Sequence, residues 1–120
     1  LLGVTFKRDV DDARNSPAER IAELLTAAGA RVSYHDPYVP VFHVGANHFL
    51  DRPLDLKREP LTEARLNACD CLTILAAHSA YDYPWLVRHA PLIVDTVNAT
   101  RGLSGQHIVR LGAPFRSEAP

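Results

Sequence analysis

The sequence predicts a single α/β domain with a doubly wound, mainly parallel sheet of five to six strands. Short apolar, partly β-branched runs alternate with helical segments along the chain. The first connections are short, which implies parallel pairing with a right-handed crossover. With 120 residues, 47% of them hydrophobic, one such domain can bury an ordinary core.

The first unit of this pattern is strand, helix, strand. Residues 1–6 form an apolar run that is typical of a strand buried on both faces. Ser16 is placed to cap a helix, with Pro17 at its first position and Glu19 at the spacing of a capping box. Gly29 ends this helix. Its apolar face is predicted from the helical spacing of Ile21, Leu24, Leu25 and Ala28, and the second strand covers residues 30–35.

The second half of the chain continues the alternation after an irregular stretch. Residues 37–60 carry four prolines and no sustained period, so they are predicted to be a long loop with room for a short hairpin. A helix over 83–90 has Asp82 as its cap. The remaining predicted elements are a short helix over 61–68 and strands over 71–77, 92–96 and 107–111.

Composition excludes several classes of protein. Thirteen Lys and Arg against fourteen Asp and Glu leave a net charge of −1, without the basic field that nucleic acid or an anionic membrane would select. No apolar run approaches the roughly 20 residues of a membrane span. Cys69 and Cys71 match no zinc or redox spacing and are typical of reduced thiols in a cytoplasmic protein. The six histidines show no metal-ligand spacing, so we predict no metal site.

A turn rich in charge follows the first predicted strand. Lys7 and Arg8 lie at the strand's carboxyl end, where sheets of this class bind ligands, and the helix beginning near Ser16 adds a positive N-terminus. The turn therefore suits a phosphate or a carboxylate. Some of its three aspartates are expected to fix the turn, by accepting backbone hydrogen bonds or by pairing with Arg14. A solvated turn with weak ion pairs is the open alternative. The three are Asp9, Asp11 and Asp12.

Two known types of site can be tested against the sequence. No glycines form G-x-G-x-x-G after the first strand, so the layout is Rossmann-like without its pyrophosphate turn, and Asp36 before Pro37 is interpreted as a turn former. A phosphoacceptor receiver needs an aspartate at the end of the third strand, which the sequence lacks. His78 and Tyr81 follow that strand, and they either face a ligand or close a loop.

The residues themselves resemble a known family. "GVTFKRDVDDARNSP" resembles the start of the C-terminal, nucleotide-sugar-binding domain of the UDP-glucose/GDP-mannose dehydrogenase family. The match continues through "GARVSYHDPYVPVF", "CDCLTILAAHSAYDY" and "LIVDTVNATR". The residues of the first motif are most similar to those of the family branch that acts on UDP-N-acetylhexosamines. Since Leu1 already lies in a predicted strand, we expect the chain to be an excised C-terminal piece of a larger enzyme.

The resemblance implies oxidation of a sugar C6 alcohol to a carboxylate, with two hydride transfers to NAD and a thioester on a cysteine outside this chain. NAD would be bound mainly by the absent N-terminal domain, and this piece alone would be inactive. The partners implied are a UDP-sugar, the missing N-terminal and central domains and further copies in a homo-oligomer. A non-catalytic nucleotide-binding or interaction module is the competing hypothesis.

The resemblance also carries over individual residues. Phe6 and Lys7 match substrate-contacting positions, and Arg14 matches an arginine that reaches the cofactor. Val97 stands where the family commonly has a substrate-contacting arginine, and Arg101 is the nearby residue that could replace it. No residue of this chain is predicted to be catalytic.

Overall fold

The computed structural model describes residues 1–45 and 52–113 and has an α/β architecture. Three short strands form a parallel sheet, and two others form an antiparallel pair. His48 of the predicted loop lies outside the described residues. In chain order the elements are α1 (Pro17–Ala27), β1 (Val41–Val44), β2 (Leu54–Lys57), α2 (Glu63–Ala68), β3 (Leu72–Ile74), α3 (Tyr83–His89), β4 (Ile93–Asp95) and β5 (Ile108–Arg110). The parallel strands are β3, β4 and β5, and the antiparallel pair is β1 and β2.

The two predicted strands over 1–6 and 30–35 are much shorter than expected. Only Leu2 pairs in strand geometry, through parallel bridges to His35 on one side and Ile74 on the other. The Leu2 amide donates to the Thr73 carbonyl at 2.8 Å, and the Gly3 amide donates to the His35 carbonyl at 3.0 Å. Gly3 has φ of 79°, a left-handed backbone that ends the extended run. Residues 1–6, called the first segment below, therefore join the sheet at one residue and then turn away.

The predicted loop over 37–60 contains the antiparallel pair β1 and β2. Val41 is paired with Lys57, and Val44 is paired with Leu54. Phe42 and Val44 are buried, while the alternate residues of β1 are exposed. This alternation is the period of two expected for a strand with one covered face. It spans only four residues beside four prolines, so the sequence allowed for a short hairpin here without giving its bounds.

Helix α1 begins and ends where the sequence predicts. The Ser16 hydroxyl accepts a hydrogen bond from the Ala18 amide, and the chain leaves the helix through Gly29 at φ of 94°. The Ala30 amide donates to the Leu25 carbonyl and the Gly29 amide to the Thr26 carbonyl, which together make a Schellman motif. The capping box does not form, because the Ser16 hydroxyl accepts from the Ala18 amide rather than the Glu19 amide, and Glu19 Oε1 has no hydrogen-bond partner among the described residues.

The predicted apolar face of α1 is wrong. Leu24 is 51% exposed and Leu25 is 37% exposed, while the helix buries Ala18, Ala22 and Glu23. Ala18 and Ala22 pack in one cluster with Tyr34 and Phe42, so the side of the helix that faces these rings carries small side chains. The hydrophobic period identified the helix correctly but not the side that the neighbouring aromatic rings would accept.

The core of the described residues consists of two apolar clusters. Cluster A lies between the parallel sheet and helices α2 and α3, and cluster B lies between α1, the first segment and the antiparallel pair. The buried members of cluster A are Leu2, Leu66, Leu72, Ile74, Tyr81, Leu86, Ala90 and Ile93. Those of cluster B are Val4, Ala18, Ala22, Tyr34, Val39, Phe42 and Val44. Across the described residues, no helix has the length and apolar character needed to cross a membrane.

Candidate functional site

A cleft lies at the carboxyl ends of the first segment, β3 and β4, the edge where ligands bind in sheets of this class. Its volume is about 250 Å³. Phe6 and Val97 are exposed in it, at 57% and 41%. The cleft is lined by Phe6, Arg8, Leu75, Ala76, Ala77 and Val97.

A second cleft of about 240 Å³ lies on the other side of Phe6, where it is lined by Phe6, Asp12, Arg14 and Asn15. Phe6 is thus common to both clefts. Phe6 and Arg14 line this second cleft, and Lys7 is the exposed neighbour of Phe6. Three of the predicted site residues therefore lie between positions 6 and 14. Arg8, to which the family resemblance assigns no role, is the cationic residue among those that line the first cleft.

The aspartates of the turn hold its backbone and one of its cations. Asp12 Oδ1 accepts hydrogen bonds from the amide and Nε of Arg14, and Asp12 Oδ2 accepts one from Arg14 Nη2, each at 3.0 Å. The Arg14 side chain lowers the pKa of Asp12 to about 2. Asp9 Oδ1 and Oδ2 accept hydrogen bonds from the amide and hydroxyl of Ser79, which lower the pKa of Asp9. The expected anchoring is confirmed for these two aspartates.

His78 is completely buried beneath the turn. Its Nδ1 accepts a hydrogen bond from the Asp9 amide at 2.8 Å, and its Nε2 lies 2.8 Å from Asp36 Oδ2 and 3.2 Å from Thr5 Oγ1. The Thr5 hydroxyl in turn donates to the Lys7 carbonyl at 2.6 Å. Of the two roles predicted for His78, the structure shows loop closure, since none of the ring is accessible to a ligand.

Asp36 and Tyr81 are also structural. Asp36 Oδ1 accepts a hydrogen bond from the Tyr38 amide, which is the predicted turn, and Oδ2 accepts one from the Val4 amide as well as facing His78. Its carboxylate is 0% exposed and fully used, so it offers nothing to a ribose. Tyr81 is buried and donates from its hydroxyl to the His35 carbonyl.

The loop after β4 is held by Asp95. Its carboxylate accepts hydrogen bonds from the amides of Val97, Ala99 and Thr100 and from the Thr100 hydroxyl, and these hold its pKa below the ordinary value although burial opposes them. Arg101 is exposed and is not among the residues that line either cleft. A role for Arg101 in place of the family arginine stays a prediction.

Other candidate chemistry is sparse. Among residues 1–45 and 52–113, no group of three or more His, Cys, Asp or Glu side chains is arranged to hold a metal. Cys69 is partly buried, and burial raises the pKa of its thiol, which disfavours the nucleophilic thiolate.

Comparison with known proteins decides the family. A family model described as "UDP-glucose/GDP-mannose dehydrogenase family, UDP binding domain" matches residues 1–102. The chain belongs to this family. Among relatives, UDP-glucose 6-dehydrogenase of Rhizobium meliloti is 37% identical over 106 residues, covering 84% of this chain and 23% of that protein. UDP-N-acetyl-D-mannosamine dehydrogenase of Methanocaldococcus jannaschii is 35% identical over 81 residues, covering 68% and 16%.

Solved structures of the dehydrogenase family share the fold. UDP-N-acetyl-mannosamine dehydrogenase of Staphylococcus aureus matches with a TM-score of 0.61 and 27% identity, over 91% of this chain and 24% of that one. UDP-D-ManNAc dehydrogenase of Pyrococcus horikoshii matches with a TM-score of 0.66 and 21% identity, over 92% and 24%. This chain spans about a quarter or less of the length of these family members.

Proposed function

We propose that the chain is the C-terminal nucleotide-sugar-binding domain of a cytoplasmic, NAD-dependent dehydrogenase. That enzyme oxidises the C6 alcohol of a UDP-sugar, a UDP-N-acetylhexosamine or UDP-glucose, to the uronate. The observation that carries the proposal is the turn with Phe6, Lys7 and Arg8 at the sheet's carboxyl edge, in a chain that belongs to this family.

The chemistry of the cleft fits a nucleoside diphosphate. Phe6 offers an exposed aromatic face against which a base or sugar can pack. Lys7 and Arg8 supply positive charge for the diphosphate, and Lys7 is an exposed ammonium on a turn whose backbone is anchored from below. We propose that Phe6, Lys7 and Arg101 contact the substrate, with Arg8 as the cation already at the cleft.

The chain does not itself provide a complete dinucleotide site. It has no glycine pyrophosphate turn, and the carboxylate of Asp36 is occupied by its own backbone and by His78. NAD, bound mainly by the N-terminal domain outside this chain, would supply the hydride acceptor. In this chain we propose a single contact, from Arg14. Asp12 pairs with Nε and Nη2 of Arg14 and orients its exposed guanidinium, which leaves Nη1 for a partner across the second cleft.

The remaining parts of the proposal concern the assembly. The missing N-terminal and central domains complete the site, and the whole enzyme is a homo-oligomer. We also propose that the sheet is doubly wound and mainly parallel with five to six strands, with residues around His35 and Leu2 as two strands beside β3. The parallel bridges of Leu2 to His35 and Ile74 support this order.

A non-catalytic nucleotide-binding or interaction module is the second candidate. Val97 favours it, because an apolar side chain lines the cleft where the family commonly has an arginine. The family match and the presence of Phe6, Lys7 and Arg14 support the enzyme.

The test is calorimetric titration of the chain with UDP, GDP and uridine, at low and moderate salt. We expect weak UDP binding that falls with salt, uridine binding that is weaker still, and loss of UDP binding in Lys7→Ala. Lys57→Ala is the matched control, since Lys57 is an exposed lysine on β2 that is not among the residues lining either cleft. Equal UDP affinity in both lysine variants would remove Lys7 from the site.

A second pair of variants compares the two arginines. Arg8→Gln and Arg101→Gln each remove one positive charge from an exposed side chain. If Arg101 replaces the family arginine, Arg101→Gln weakens UDP binding. If Arg8 replaces it instead, Arg8→Gln is the variant with the lower UDP affinity. An unchanged affinity in both would leave Lys7 as the cation that holds the diphosphate.

A further inference from the structure

We infer that His78 is a positioning residue for the ligand-facing turn, held as the neutral tautomer that carries its proton on Nε2. The inference rests on the proposed function only where it concerns nucleotide affinity. The state of the turn can be measured without a ligand.

The hydrogen-bond partners determine the tautomer. The Asp9 amide is a donor that cannot accept, so Nδ1 of His78 must be the unprotonated acceptor. Asp36 Oδ2 already accepts the Val4 amide, and at 2.8 Å from Nε2 it accepts a second hydrogen bond from the ring. One proton on Nε2 satisfies every contact of the ring.

The same contacts join three parts of the chain that are distant in sequence. The ring connects the turn at Asp9 to the end of the second predicted strand at Asp36 and to Thr5 before the turn. Thr5 passes the connection to the carbonyl of Lys7. The rings of Tyr38 and Tyr81 lie 5.0 and 5.9 Å from that of His78, centroid to centroid, and help to enclose it. A buried ring that contacts Thr5 and Asp9, on either side of Lys7, limits the positions that Lys7 can adopt.

The turn needs such support because its backbone is unfavourable. Asp9 has φ of 60°, in the left-handed region that non-glycine residues rarely occupy. Two contacts hold it there, the amide to His78 and the carboxylate to Ser79. His78 and Ser79 are adjacent, so the loop after β3 positions the whole turn, and with it the cations at the cleft.

Two amide side chains at position 78 can test separately the contact of the ring with the Asp9 amide and its contact with Asp36. Asn at position 78 can place its oxygen near the position of Nδ1 and accept the Asp9 amide, but it does not reach Asp36. Gln can place its amide nitrogen near the position of Nε2 and donate to Asp36, but it leaves the Asp9 amide without an acceptor. Both remove the ring, so both lose its packing against Tyr38 and Tyr81 to a similar extent.

The first measurement is the nitrogen NMR spectrum of the histidine rings in the wild-type chain. We expect His78 to show a protonated Nε2 and an unprotonated Nδ1. The second is amide hydrogen exchange of Asp9 in His78→Asn and His78→Gln. We expect exchange about five- to tenfold faster in the Gln variant, the value of one hydrogen bond. A proton on Nδ1, or equal exchange in the two variants, would overturn the inference.

UDP titration of the same variants tests the functional part. A positioning role predicts affinity that follows the Asp9 contact, so the Gln variant binds UDP more weakly than the Asn variant whatever their order of thermal stability. Affinities that follow thermal stability instead would reduce His78 to a core residue. If the wild-type chain binds no UDP, the proposed function fails, while the exchange comparison still decides whether His78 holds the turn. Ser79→Ala, which removes one exposed contact to Asp9, is the milder variant if both substitutions at 78 unfold the chain.

Discussion

Gly3 is the residue at which the first segment changes from strand to ligand-facing turn. In a regular strand Leu2 and Val4 would share a face, yet Leu2 belongs to cluster A and Val4 to cluster B. The left-handed backbone of Gly3 interrupts the alternation. A Cβ atom on Gly3 would also lie 2.7 Å from the Ala76 carbonyl oxygen, closer than real contacts allow. Backbone freedom and lack of a side chain are therefore both needed.

We expect Gly3→Ala to lower the free energy of unfolding by roughly 2–4 kcal/mol, from a left-handed alanine and an overpacked contact. Gly102→Ala is the control, because Gly102 has the same φ of 79° but nothing within 4 Å of its added Cβ. It should lose only the backbone share, about 1 kcal/mol. Urea denaturation of both variants measures the difference, and equal losses would show that the contact with Ala76 relaxes.

The crowded charges of the turn are also explained residue by residue. Two of its aspartates have hydrogen-bond partners of their own. Asp9 is bonded to Ser79, and Asp12 to Arg14, while Lys7 and Arg8 remain exposed beside the cleft. These two carboxylates therefore shape the turn, and Asp12 also orients the guanidinium of Arg14.

At the scale of the element, helix α1 contains a buried acid. Glu23 is 1% exposed, and neither carboxylate oxygen has a hydrogen-bond partner among residues 1–45 and 52–113. Arg20 Nη1 lies 3.6 Å from Glu23 Oε2, which is close enough to pair but not to hydrogen-bond well. Desolvating the carboxylate costs free energy that such a pair offsets only in part.

We expect Glu23→Met to raise the free energy of unfolding by about 1 kcal/mol, because an apolar side chain of similar length removes a buried charge. The half-exposed side chain of Arg20 can stay hydrated in this variant. Glu63→Met, at an exposed position at the start of α2, is the control and should change stability by less than about 0.5 kcal/mol. Thermal and urea denaturation measure both. A loss of stability in Glu23→Met would show that the ion pair is worth more than the burial costs.

For the whole molecule, the two clusters share the first segment. Leu2 packs in cluster A and Val4 in cluster B, and the backbone of the same segment bonds to both His35 and Thr73. If this segment detaches from one cluster, the apolar side chains of the other cluster also become exposed to water. The two should therefore unfold together, although the sheet of β3, β4 and β5 is separate from the β1 and β2 pair.

Val44→Ala tests this coupling. Val44 is 1% exposed in cluster B, and its truncation should cost about 2 kcal/mol. Trp85, the single tryptophan, packs against cluster A and reports on it by fluorescence. We expect the urea midpoints of Trp85 fluorescence and far-ultraviolet circular dichroism to fall together. If the fluorescence midpoint stays in place while the dichroism shifts, the clusters unfold independently.

Local chemistry was enough to predict much of this molecule. Ser16 and Asp82 cap the helices predicted to follow them, and Gly29 ends α1, because caps depend only on neighbouring residues. The family was identifiable for the same reason, since its opening motif is a continuous stretch of the sequence. The carboxylate anchoring in the turn also followed from the short spacing of Asp12 and Arg14.

Only the tertiary structure decided which faces and partners these local elements would have. The sequence could not show that Tyr34 and Phe42 leave room for Ala22 rather than Leu24, because that depends on volumes supplied by another element. Nor could it show that Asp9, Asp36 and His78 meet, since hydrogen bonds across 42 and 69 residues follow no period. The sequence by itself determined the family, the helix ends and the charged turn. The fold determined which side chains were close enough to support that turn, because burial and hydrogen bonding depend on distance in space.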